Sequence, residues 1–199
     1  MSPIRIGLFG GTFDPPHKAH VALASLALAE LALDELRWIP TGQPWQKARR
    51  ITPAAQREAM VRLAIVGEPR FMIERCEIKR QGPSFTLDTV RELRATKPGA
   101  EWFLIIGQDQ YANLHTWRDW RELLALVTLA VANRPGVAIE AHPDVKAVAH
   151  RAVPLAMLDI ASTDIRARVA AGQDIASLVP VSVARYIEAN HLYHDAPRG

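Results

Sequence analysis

The sequence predicts an α/β protein built on a doubly wound parallel sheet, on three observations. Short apolar runs without polar alternation recur along the chain, as expected of strands covered on both faces. Stretches of helical character separate successive runs, which is the pattern of a parallel sheet with crossover helices. Four segments rich in glycine, proline or polar side chains follow the proposed strands: Gly10 to His20, Thr41 to Arg50, Gly107 to Trp117 and Asn133 to Gly136. In an open α/β sheet such segments lie at the carboxyl ends of the strands, where ligands bind at the point of reversed strand order.

Each element follows in order. Ile4 to Phe9 is the first strand, and a helix runs from about His17 to Ala32. "LRWIP", Leu36 to Pro40, is the second strand; a polar loop then leads to a helix from about Ala54 to Val66. "FMIERCEIKR" reads as an extended stretch, less buried than the first strand. Ser84 is placed to cap a helix from about Phe85 to Ala95, which Lys97, Pro98 and Gly99 end. Trp102 to Gly107 and Val127 to Gly136 are further buried strands. "PDVKAVAH" has helical character, "VPLAML" is the last strand, and two helices separated near Pro180 close the chain. No repeat or low-complexity linker divides it, so 1–199 is expected to be one domain with a C-terminal helical part at about 160–195.

Composition narrows the function. With 199 residues, 49% hydrophobic and 23% charged, the chain can bury a core without disulfides. Cys76 is the single cysteine, no Cys/His cluster has zinc spacing, and no metal ligands are assigned; a reducing cytoplasm fits best. Val21 to Leu33 is apolar but carries Glu30 and is shorter than the roughly 20 residues of a bilayer span. The N-terminus lacks signal-peptide features, and no membrane partner is expected. A net charge of +3, without Lys/Arg runs interleaved with aromatics, argues against nucleic acid and leaves small anions as ligands. A homo-oligomer is compatible with the sequence.

The first loop, "GGTFDPPHKAH", carries the chemistry. Gly10 and Gly11 permit backbone angles and close approaches that a side chain would block, while Pro15 and Pro16 stiffen the turn. His17 and His20, at i and i+3 in the first helical turn, project to the same side. Imidazoles beside free helix-start amides can donate to polyphosphate oxygens as negative charge builds. A second cluster, "ASTDIRARVAAG", places Ser162 or Thr163 at a helix N-cap with Arg166 one turn in and Arg168 nearby, another set of donors for phosphate.

Together these segments resemble a family. "GGTFDPPHKAH" is similar to the (H/T)-x-G-H signature of nucleotidyltransferases that transfer adenylyl groups, and "ASTDIR" to their S-S-T-x-I-R element. "PSFTLDTV", "FLIIGQD", "HTW" and "NRPG", in that order, narrow the resemblance to the bacterial nicotinate-nucleotide adenylyltransferases over almost the whole chain. Three positions depart from the family pattern: Ala19 for glycine, Ala161 for serine, and Trp45-Gln46-Lys47 for Pro-His-(Lys/Arg).

The resemblance implies a Rossmann-like nucleotidyltransferase fold and a reaction in NAD biosynthesis. ATP and nicotinate mononucleotide (NaMN) would give nicotinate adenine dinucleotide and pyrophosphate, with Mg²⁺ carried on the ATP. His17 and His20 would bind the triphosphate, with His20 the more important; Lys47 and Arg166 would hold the pyrophosphate end. Thr12, Ser162 and Thr163 would donate at shorter range, beside a nucleotide-binding loop of Gly10, Gly11 and Phe13. On the acceptor side Asp109 would take ribose hydroxyls, Trp117 the pyridine ring, and backbone amides near Thr86 and Trp117 the carboxylate, with Gly107 and Arg134 contacting nucleotide. Asp14 would only order the loop. The residues leave open an adenylyltransferase for nicotinamide mononucleotide or phosphopantetheine, and a nucleotide sensor without turnover. The segment Thr41 to Arg50 is expected to move when ligands bind.

Overall fold

A computed structural model describes residues 2–42, 51–133, 141–154 and 160–194. Among them six parallel strands form one sheet in the order β3-β2-β1-β4-β5-β6. The strands are β1 (Arg5–Gly11), β2 (Glu35–Pro40), β3 (Phe71–Ile73), β4 (Glu101–Gly107), β5 (Thr128–Asn133) and β6 (Arg151–Pro154). The helices are α1 (Lys18–Glu30), α2 (Ala54–Ala64), α3 (Cys76–Lys79), α4 (Thr86–Thr96), α5 (Gln108–Ala112), α6 (Trp120–Leu126), α7 (Pro143–Lys146), α8 (Ser162–Ala170) and α9 (Val181–Ala189). This is the doubly wound, Rossmann-like arrangement, and its strand order reverses between β1 and β4.

The apolar runs are continuous because both faces of the sheet are covered. Ile6 and Leu8 of β1 and Leu104 and Ile106 of β4 pack on one face, against Leu87, Val90 and Leu93 of α4 and Leu123 of α6. Phe9, Trp38, Phe103 and Ile105 pack on the other, against Leu23, Ala24, Ala27 and Leu28 of α1. Truncating a side chain such as Leu8, fully buried here, costs about 2–5 kcal/mol. A third cluster joins Met60 of α2 to Ile165, Val169, Val183 and Ile187 of α8 and α9, which binds the C-terminal helices to the α2 side.

The structure corrects several local expectations. β1 runs on through both glycines, pairing Gly10 with Ile39 and Gly11 with Pro40. Neither glycine has a positive φ; the left-handed residue is Phe13, with φ 50°. What Gly11 supplies is space, because a Cβ there would lie 2.8 Å from the Phe13 ring. The stretch after β3 is not extended: the Glu74 carboxylate accepts from the amides of Arg75 (2.8 Å) and Cys76 (3.1 Å) and turns the chain into α3. Ser84 does not cap α4. Phe85 holds that position, and Ser84 Oγ is buried with no hydrogen-bond partner among the described residues. Ala161, not Ser162 or Thr163, is the N-cap of α8.

Further differences concern length. α5 and α6 occupy the segment between β4 and β5, where the sequence reading assigned no element, and α7 covers only the first part of its predicted helix. The predicted strand residues 134–136 and 155–158 lie outside the described residues. Among the described residues no helix is long and apolar enough to cross a membrane.

Candidate active site

A cleft of about 650 Å³ opens at the carboxyl ends of β1 and β4, where the strand order reverses. The end of β1 and the loop after it form one side, with Gly10, Gly11, Thr12, Phe13, His17 and His20 in the lining and Ser162 of α8 beside them. The end of β4 and the start of α4 form the other, with Gly107, Asp109, Thr86 and Trp117. Crossover connections put both sets at one edge of the sheet, because every parallel strand ends there.

The two histidines meet, though not as neighbours within one helical turn. His17 is the N-cap of α1 with extended backbone, and His20 is the third helical residue. The His17 amide donates to His20 Nδ1 (3.2 Å), and the imidazole rings stack with centroids 3.6 Å apart and planes 25° apart. An imidazole that accepts at Nδ1 in its neutral form carries its proton on Nε2, so His20 is set as an Nε2–H donor. His17 is 6% exposed, and its Nδ1 is buried without a partner among the described residues. Burial lowers its pKa from 6.5 to about 4, so His17 is neutral near pH 7. Stacked rings at this distance would resist carrying two positive charges.

Behind the histidines the loop is tied to distant parts of the chain. Asp14 is 1% exposed; its Oδ1 accepts from the Tyr193 hydroxyl (2.7 Å) and its Oδ2 from the Thr52 amide (3.5 Å). Burial and the adjacent Asp14 carboxylate raise the Tyr193 phenol above its ordinary range, keeping it a donor. The Ser162 hydroxyl donates to the Pro15 carbonyl (2.9 Å), which explains why it does not cap α8. Arg166 donates to the Asp14 carbonyl (2.8 Å) and to Thr163 Oγ1 (3.1 Å). Arg57 of α2, 1% exposed, reaches the same loop through the Thr12 carbonyl (2.8 Å).

The opposite side is more open. Thr86 is the first residue of α4, whose first amides have no partner within the helix. Trp117 is half-buried and packs on the sheet core, while Asp109 is exposed in the first turn of α5, whose N-cap is Gly107. Asp109 is therefore not a capping residue. The Arg118 guanidinium lies 4.6 Å over the Phe85 ring and pairs with Asp88 (3.5 Å). Beneath them Glu77 accepts from the Thr89 hydroxyl (2.9 Å), and burial raises its pKa.

Of the residues singled out from sequence, Gly10, Gly11, Thr12, Phe13, His17, His20, Thr86, Gly107, Asp109, Trp117 and Ser162 line one cleft. Thr163 and Arg166 are not part of its lining but are bonded to each other next to it, where Arg166 also donates to the carbonyl of the cleft residue Asp14. Lys47 and Arg134, and with them Gln46 and most of the segment Thr41 to Arg50, lie outside the described residues. Sequence reasoning missed Arg57, Tyr193 and Glu77. An arginine in an amphipathic helix, a tyrosine near the C-terminus and a glutamate in a charged stretch carry no local mark of burial.

Comparisons with known proteins point to one family. A family model described as cytidylyltransferase-like matches residues 8–168. A Methylibium petroleiphilum protein named probable nicotinate-nucleotide adenylyltransferase is 52% identical, over 98% of this chain and 94% of its own. An Albidiferax ferrireducens protein of the same name is 47% identical, over 96% and 99%. Among solved structures, Plasmodium falciparum nicotinic acid mononucleotide adenylyltransferase, complexed with NaAD, superposes with a TM-score of 0.80 at 17% identity, over 96% of this chain and 98% of that one. The same enzyme complexed with APC gives 0.78 at 16% identity, with the same coverage. At these identities the structural likeness speaks for the fold alone.

Proposed function

The chain belongs to the cytidylyltransferase-like family and, within it, to the nicotinate-nucleotide adenylyltransferases, and on that premise we propose how its residues transfer an adenylyl group from ATP to NaMN. The observation that carries the proposal is one continuous cleft with stacked histidines at one side and a helix start with a flat indole at the other.

A 5'-phosphate oxygen of NaMN attacks the α-phosphorus of ATP in line. The new P–O bond forms as the bond to the bridging oxygen breaks, and pyrophosphate leaves. Such a transfer needs positioning and charge stabilisation rather than a protein nucleophile. His20 donates from Nε2 and His17 lies against it, with Thr12 and Ser162 at shorter range. Lys47 and Arg166 take the pyrophosphate end, and Thr163 is a further short-range donor. Magnesium enters with ATP as part of that substrate; among the described residues no three or more His, Cys, Asp or Glu side chains gather to hold an ion. On the acceptor side Trp117 stacks on the pyridine, Asp109 takes ribose hydroxyls, the amides at Thr86 and beside Trp117 take the carboxylate, and Gly107 and Arg134 contact nucleotide.

The whole chain, 1–199, acts as one nucleotidyltransferase domain, and the reaction is placed in the cytoplasm, which the single buried thiol of Cys76 supports. Purified protein incubated with ATP, magnesium and NaMN is expected to yield equal amounts of the dinucleotide and pyrophosphate, identified by mass. ATP binding without either product would contradict turnover and favour a nucleotide sensor.

A further inference from the structure

We propose that Arg57 is a positioning residue for this transfer: from behind the site it holds the triphosphate loop and the end of β2 in register and turns their carbonyl oxygens away from the incoming polyanion. The proposal rests on the function given above. Arg57 is 1% exposed, and its guanidinium donates to four backbone carbonyls from three pieces of chain. Nη1 reaches Thr12 (2.8 Å), Nη2 reaches Thr41 (2.6 Å) and Gly42 (3.1 Å), and Nε reaches Thr52 (2.9 Å). Thr12 and Thr41 line the cleft.

Two physical consequences follow from that geometry. In a trans peptide the N–H points opposite to the C=O, so drawing the Thr12 and Thr41 carbonyls toward Arg57 leaves the amides of Phe13 and Gly42 on the far side. Oxygens turned toward the cleft would instead meet the triphosphate with like partial charge, and fixed dipoles of that kind decide how well developing charge is held. The spacing is also fixed. Gly42 sits so close to α3 that a Cβ would lie 2.0 Å from the Glu77 carbonyl oxygen, so the segment just after β2 is wedged between α3 and Arg57. The planar fork of arginine offers donors at several fixed positions to carbonyls of separate segments; a lysine ammonium donates from a single point.

The test uses Arg57→Lys and Arg57→Met in the full chain, at a temperature where circular dichroism shows each fully folded. Tm, kcat, KM for ATP and KM for NaMN are measured, together with calorimetric affinity for ATP alone. For Arg57→Met we expect about a 100-fold loss in kcat/KM for ATP, the cost of misplacing reacting groups by about an ångström, and roughly 10-fold for Arg57→Lys. ATP affinity falls in both, and KM for NaMN is unchanged. A purely structural role would lower Tm but leave the ATP affinity and KM of the folded variants at wild-type values, and that result overturns the proposal. If Arg57→Met does not fold, Arg57→Lys decides by the same criterion; if neither folds, Arg57 serves folding and the proposal is wrong. If wild-type protein binds ATP but transfers nothing to NaMN, the function given above fails, while the ATP affinities still judge whether Arg57 positions the triphosphate loop.

Discussion

The two sides of the cleft are built differently. On the phosphate side Asp14, His17 and Arg57 are 1%, 6% and 1% exposed, and hydrogen bonds reach that loop from α2, α8 and the C-terminal Tyr193. On the acceptor side Asp109 and Arg118 are exposed and Trp117 is half-buried. The contrast follows the chemistry. Charge that develops in a transition state is held best by donors already in place, which costs no reorganisation at the moment of reaction. An acceptor that must enter and leave as part of a larger product needs an open face instead. Preorganisation is concentrated where the bonds change.

Four substitutions test that contrast. The largest effect is expected at His20. His20→Ala should lower kcat by about 10²–10³-fold, the usual loss for one transition-state donor, with circular dichroism unchanged. Near-normal turnover would remove His20 from the chemistry.

Next comes the pH dependence of stability, set by His17. Its pKa is about 4 when folded and 6.5 when unfolded, so between those values the unfolded chain binds the extra proton. This contribution is fully present above pH 6.5 and is lost as pH falls toward 4, by on the order of 3 kcal/mol. Urea titrations at stepped pH should show the slope, and His17→Gln should flatten it by about one proton.

On the open side, Trp117→Ala should raise KM for NaMN by roughly 5- to 150-fold, from about 1–3 kcal/mol of stacking, and leave KM for ATP alone. An equal change in both would mean that the two sides are not independent. The smallest effect belongs to a brace remote from substrate. Tyr193→Phe removes the hydrogen bond to Asp14 and should cost about 1.5 kcal/mol in denaturant unfolding, with kcat/KM for ATP lowered by no more than a few-fold.

The frame of this molecule is legible in its sequence because continuous apolar runs mark strands buried on both faces, and β1, β2 and β4 fall within two residues of the runs that announce them. The loop after β1 is legible too, since glycines, prolines and two histidines after a buried strand have few other uses. What escapes is whatever depends on a partner far along the chain. Ser162 reads as a helix cap from its neighbours, yet its hydroxyl goes to Pro15, 147 residues away. Arg57 carries no local mark in the sequence, yet its guanidinium donates to carbonyls from three segments. The short helices α5 and α6 escape for another reason: with one or two turns each, they show no repeating apolar face. In α3, β-like composition loses to the Glu74 carboxylate, which captures two amides.

The most direct measurement is initial pyrophosphate release with ATP and magnesium, run in parallel with NaMN, with its amide, nicotinamide mononucleotide, and with no acceptor. Fast release is expected with NaMN, slower release with the amide and none without an acceptor. Equal rates with acid and amide would contradict the acceptor assignment at Thr86 and Trp117, and no release with either would contradict adenylyl transfer itself.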